Sequence, residues 1–96
     1  MKLDWTPLAL EDRINTFNHI AEESVQIAVK IDDAIDAQTE RLVDFPESGR
    51  PGRFPGTREL IVTGYPFTVV YRIVEDTIRI IRVLHQAQQW PDDLPH

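Results

Sequence analysis

Two eight-residue runs, Phe67–Val74 (FTVVYRIV) and Thr77–Leu84 (TIRIIRVL), are separated only by Glu75-Asp76. Runs rich in β-branched and aromatic residues with a two-residue break between them predict an antiparallel hairpin. In the first run Phe67, Val69, Tyr71 and Ile73 share one face, and Thr68, Val70, Arg72 and Val74 the other. The second run is apolar on both faces, which predicts a central place in a sheet. Another strand, Thr57–Thr63, comes before the hairpin across the turn Gly64-Tyr65-Pro66. Leu60 and Val62 lie on its Arg58 face, with Glu59, Ile61 and Thr63 opposite.

The N-terminal half has a different period. Met1–Thr6 alternates Leu3 and Trp5 with Lys2 and Asp4 and predicts a short strand. Thr6-Pro7 then suits an N-cap and first helical position. Leu10, Ile14, Phe17 and Ala21 follow at helical spacing, a stripe expected to face the core. Ser24 can cap a second helix, whose inward face is read as Ile27, Ile31, Ala34, Ile35, Gln38 and Leu42. Asp44-Phe45-Pro46 ends it, since the residue before proline leaves the α region. Glu47–Gly56 holds three glycines and two prolines and is read as a loop.

The expected fold is therefore α+β, a two-layer β-α-α-β-β-β arrangement. A helical hairpin packs on one face of a small, mostly antiparallel sheet and leaves the other face partly open. Ninety-six residues fit one domain, residues 1–96, with 92–96 expected as a flexible tail. The absence of cysteine excludes disulfides and thiolate chemistry. No signal peptide and no apolar run of membrane-spanning length is visible, so a cytoplasmic protein without membrane contact is expected.

Charge is unevenly spread. Residues 1–48 carry four cations against eleven acids, whereas 49–90 carry six arginines against three acids. Net charge is −6, which disfavours non-specific binding to nucleic acid. The arginine-rich half can still hold an anion or an acidic partner chain, because fields are screened over ~8 Å in physiological salt.

The string GRPGR…PGTREL…YPFTVVYRI…DTIRIIRVLHQAQQWP, within this element order, resembles the RelE/ParE superfamily of toxins from bacterial type II toxin–antitoxin systems. The resemblance implies a cognate antitoxin and one of two activities. RelE-like members cut messenger RNA on the ribosome with basic side chains, whereas ParE-like members poison DNA gyrase without chemistry of their own. In the first reading no metal or cofactor is needed. Cations stabilise the charge gathering on the phosphoryl oxygens, and an imidazole protonates the leaving oxygen.

The nuclease is the expected activity, because Arg82-Val83-Leu84-His85 places a cation and an acid–base group at one strand end, and that reading takes Arg58, Arg82 and His85 as catalytic. Arg50, Arg53, Arg72 and Trp90 would then bind RNA. An antitoxin is expected over Arg53, Arg58, Val70, Ile81 and Arg82, with the two apolar residues partly exposed in its absence. Ile61 stands where many RelE-like nucleases carry arginine, and Trp90 where many carry tyrosine. Both favour the gyrase alternative, and an inactive antitoxin-binding relative is a third reading. Other features are read as structural: Arg72 and Arg79 as solvated or ion-paired face residues with Glu59 and Glu75 as neighbours, and His19 and His96 as structural or incidental. Trp5 and Trp90 are read as packing anchors near the sheet edge, and Asp32, Asp33, Asp36 and Glu40 as a solvated helix face.

Overall fold

The computed structural model describes residues 1–94. Five strands form one sheet in the order β1-β5-β4-β3-β2: β1 (Lys2–Trp5), β2 (Arg50–Pro51), β3 (Arg58–Ile61), β4 (Phe67–Val74) and β5 (Thr77–His85). β1 runs parallel to β5, and every other pair is antiparallel. The helices α1 (Pro7–Ala21) and α2 (Val25–Glu40) form the hairpin on one face. The architecture is the expected α+β one, with one addition. Arg50–Pro51, read as loop, pairs with Glu59 and Arg58 as a short edge strand.

Local signals account for the element ends. The Thr6 hydroxyl accepts the Ala9 N–H and donates to the Ile80 carbonyl, which ties the start of α1 to β5. Ser24 caps α2 through the Ile27 N–H. β5 lies between β1 and β4, so both of its edges are paired, and its two faces are buried in separate apolar clusters. Opposite Val70 and Tyr71 it carries an irregularity in register, of the kind that lets one strand re-aim its side chains.

The main core lies between sheet and helices, and contains Ile31, Ile35, Leu42, Val62, Phe67, Val69, Tyr71, Ile78, Ile80 and Val83. α1 does not enter it by the expected stripe. Leu10 and Ile14 are 43% and 60% exposed, and only Ala9 of α1 is fully buried. Phe17 and Ala21 of that stripe are half-buried, and Ala9, Asp12, Arg13, Thr16 and Ile20 also lie on the sheltered side. Two of these are charged, so apolarity alone did not mark that side. Ile27 of α2 is likewise exposed.

The opposite face of the sheet is not bare. Phe54, Val70, Ile81, Leu84 and Leu94 form a second cluster, with Trp90 packed against it. Val70 is 0% and Ile81 2% exposed, so neither is available to an antitoxin as expected. The cover comes from the loop around Phe54 and from the segment after β5. A tail free of the sheet from Asp92 onward does not describe Leu94, which is buried. His96, read as incidental, lies outside the described residues. Among the described residues no helix is long and apolar enough to cross a membrane.

Candidate functional site

Glu59 organises the surface opposite the helices. It is 4% exposed, and its Oε2 accepts the Arg53 N–H at 2.8 Å while Oε1 accepts Arg50 Nη2 at 3.2 Å. The loop between them closes on itself: Gly52 N–H donates to the Thr57 carbonyl, and the Thr57 hydroxyl to Phe54. Only glycine fits at position 52, because a Cβ there would run into the Thr57 hydroxyl. Arg72 donates to the Pro55 carbonyl at 2.9 Å and pins the far side of the loop.

This arrangement sets Arg53 over Trp90, with its guanidinium carbon 4.0 Å from the ring centroid. The Trp90 indole N–H donates to the His85 carbonyl, which fixes the ring. Arg50, Arg53, Ile61, Thr68, Gln86 and Trp90 line a groove of about 320 Å³. Among the described residues Arg53 makes no ion pair. One face of its fork rests on the indole, and its N–H edge is free for a carboxylate or phosphate. Arg50, Arg53 and Trp90 thus meet as a group, and Arg72 supports the loop beside them. The sequence did not single out Thr68 or Gln86. Glu59 carried one usable signal, as the only acid between Arg50 and Arg72.

Arg58, Arg82 and His85 do not meet. Arg58 pairs in register with Tyr71 and, through it, is level with Ile80. That is five residues before His85, about 16 Å along the strand. Its guanidinium donates to the Gly49 and Glu47 carbonyls at 2.7 and 3.4 Å. Beside it the buried Tyr71 hydroxyl donates to the Pro46 carbonyl at 2.7 Å and accepts the Gly49 N–H at 3.0 Å. Burial pushes the Tyr71 pKa up, against the opposing pull of Gly49 and Arg58.

Arg82 is held by Asp12 of α1 through two hydrogen bonds, at 2.8 and 3.0 Å, and its side chain is 17% exposed. His85 sets its ring edge-on to Phe67, with centroids 5.0 Å apart, and its Nδ1 accepts the Ala87 N–H. It lines a groove of about 640 Å³ with Asn15, Thr16 and His19 of α1. The imidazole therefore faces the helical layer, while the Arg53 groove lies across the sheet. Arg79 pairs with Asp4 at 3.6 Å rather than with Glu75. Asp32 and Asp36, read as solvated, bind Arg13, which also covers Trp5 at 4.6 Å. Burial opposes the Arg13 charge, but Asp32 and then Asp36 outweigh it and raise its pKa. Among the described residues no cluster of three or more His, Asp or Glu could hold a metal ion.

A sequence model described as "ParE toxin of type II toxin-antitoxin system, parDE" matches residues 3–90. The chain belongs to the ParE toxin family. A protein of Sinorhizobium fredii (strain NBRC 101917 / NGR234), Y4kP, described as a candidate toxin, is 34% identical over 93 residues. That alignment spans 97% of this chain and 96% of Y4kP. A solved structure, from the chromosomal ParDE toxin–antitoxin system of P. aeruginosa, superposes with a TM-score of 0.80 at 30% identity. It covers 88% of this chain and 95% of its own. The ParE assignment falls within the superfamily that the strand motifs resemble, and on its ParE branch.

Proposed function

We infer that this ParE-family toxin acts by binding DNA gyrase and does not cut RNA. The observation that carries this is the Asp12–Arg82 pair. A phosphoryl transition state needs cations that are free and convergent beside a proton donor. Here Arg82 already has its carboxylate, Arg58 serves two backbone carbonyls, and His85 turns to Phe67. Ile61, 42% exposed at the rim of the groove, supplies no charge. Family membership supports the same reading.

The Arg50–Arg53–Trp90 groove is assigned to the cognate antitoxin. One guanidinium stacked on a fixed indole, with the Arg50 fork held on Glu59 beside it, suits an acidic, extended segment, whose carboxylates would take the free edge of Arg53. Of the expected antitoxin contacts this keeps Arg53 and replaces Arg58, Val70, Ile81 and Arg82 with the residues of this groove.

Purified toxin assayed for gyrase supercoiling, alongside mapping of ribosome-bound messenger after induction, tests the function. Inhibited supercoiling with intact messenger is expected. Cleaved messenger that becomes intact in His85→Gln would overturn it.

A further inference from the structure

The groove beside His85 plays no part in the proposed function. It measures about 640 Å³, within the range of about 300–1,000 Å³ in which small-ligand sites fall. Ile20 of α1, Ile31 of α2 and Phe67 at the start of β4 give it an apolar wall, and the last two are buried. Among the described residues that line it there is no Asp, Glu, Lys or Arg, in a chain of net charge −6.

Hydrogen bonds inside the turn after β5 decide which polar atoms are left to meet a ligand. His85 Nδ1 accepts the Ala87 N–H at 2.9 Å, so the neutral ring carries its proton on Nε2. Gln88 Oε1 accepts the His85 N–H at 2.7 Å, which leaves the NH2 end of that amide for a ligand. Both acceptors are spent within the turn, and the two side chains offer donors. The turn itself is fixed. Gln86 N–H donates to the Pro66 carbonyl at 2.8 Å, and Gln88 N–H to the His85 carbonyl at 3.2 Å. The Phe67 ring, edge-on to the imidazole at 5.0 Å, holds its orientation. On the helical side Asn15, Thr16 and His19 can donate as well. Donors beside an apolar wall, with no carboxylate lining the groove, select an acceptor that carries negative charge.

We propose that this groove binds a small monocarboxylic acid with an apolar body. The hydrocarbon part lies on Ile20, Ile31 and Phe67, and the carboxylate accepts from His85 Nε2 and the Gln88 amide. The site is on the helical side of the sheet, apart from the Arg53–Trp90 groove, so the acid and an antitoxin in that groove need not compete. It does not depend on gyrase being the target.

The test uses the full chain and a pair of probes with one body, 4-phenylbutyrate and 4-phenylbutylamine. Calorimetry is expected to show saturable binding of the acid with a Kd below about 1 mM, at least about tenfold tighter than the amine. In proton–nitrogen spectra the acid should shift the Gln88 side-chain amide and the Ala87 N–H and leave the Trp90 indole N–H in place. Gln88→Glu keeps an acceptor for the His85 N–H and puts a carboxylate oxygen where the donor was. It should weaken the acid by about tenfold or more and erase its preference over the amine, while the thermal midpoint stays close to the parent's. Equal affinity for acid and amine, no saturation by about 10 mM acid, or full affinity in Gln88→Glu would each overturn the proposal. Shifts at the Trp90 indole with Gln88 unmoved would also overturn it, placing the acid in the arginine groove. So would a short peptide ending in a phenylalanine carboxylate that binds here at least about tenfold more tightly than the acid, assigning the groove to a protein terminus.

Discussion

Asp12 holds Arg82 with both carboxylate oxygens, and its Oδ2 also accepts the Val83 N–H at 2.9 Å. β1 pairs with β5 only from Thr77 to Ile80. Beyond that point α1 supplies, through one side chain, the acceptor that a neighbouring strand would otherwise offer. Both partners are mostly buried, at 17% and 12% side-chain exposure. Asp12→Ala leaves a cation and a backbone donor unmet, and should lower stability by about 2–4 kcal/mol. Urea denaturation reads this directly, and an unchanged midpoint would show the pair to be dispensable.

Tyr71→Phe removes the partner of the Pro46 carbonyl and of the buried Gly49 N–H. A loss of about 1–3 kcal/mol is expected.

The same residue predicts an alkaline effect. Its folded pKa lies above the ordinary value of 10.0, so the unfolded chain releases the proton first as pH rises. The stabilisation is whole below that ordinary value and declines as pH climbs through the folded pKa. Tyr71→Phe should lack this part of the decline, and parallel denaturation series on the two proteins would reveal it.

Glu59→Ala should free the loop that presents Arg53, because the carboxylate fixes the Arg53 N–H and the Arg50 fork. About 1–3 kcal/mol of stability should go with it. In a Trp5→Phe background, Trp90 fluorescence should shift as the guanidinium leaves the indole. An unaltered spectrum would mean that Phe54 and the Gly52–Thr57 and Arg72–Pro55 hydrogen bonds hold the loop without Glu59.

Glu75 turns the β4–β5 hairpin at φ 57, in the left-handed region. Glu75→Gly relieves that conformation and should raise stability by about 0.5–1 kcal/mol. A lower thermal midpoint would refute this.

What was legible in the sequence was local. The hairpin and the caps at Thr6 and Ser24 are set by residues within a few positions of one another, whereas α2 gives way to a 3-10 turn at Arg41–Val43, ahead of the expected stop at Phe45-Pro46. The Asp12–Arg82 pair spans 70 residues, and no local pattern announces it. Once α1 turns Asp12 and Arg13 toward partners, Leu10 and Ile14 rotate outward, and only Phe17 and Ala21 of that stripe stay half-buried. Val70 and Ile81 were expected to be exposed because the loop and the C-terminal segment carry no regular pattern of their own. Both become a cover only when Phe54 and Leu94 meet across the sheet. Trp90 and Arg53 were each noticed as candidates, but their stacking depends on Glu59 folding the loop, which spacing does not encode.

The second apolar cluster closes with residues at the very end of the described chain. Trp90 and Leu94 seal Val70, Ile81 and Leu84 from water. A purification handle fused behind this segment pulls on the seal, and a deletion after Gln89 strips it off. Either uncovers a greasy strip along the middle of a β-sheet, the kind of surface that clumps. Affinity tags for this toxin belong at the other terminus, where Met1 is already in water.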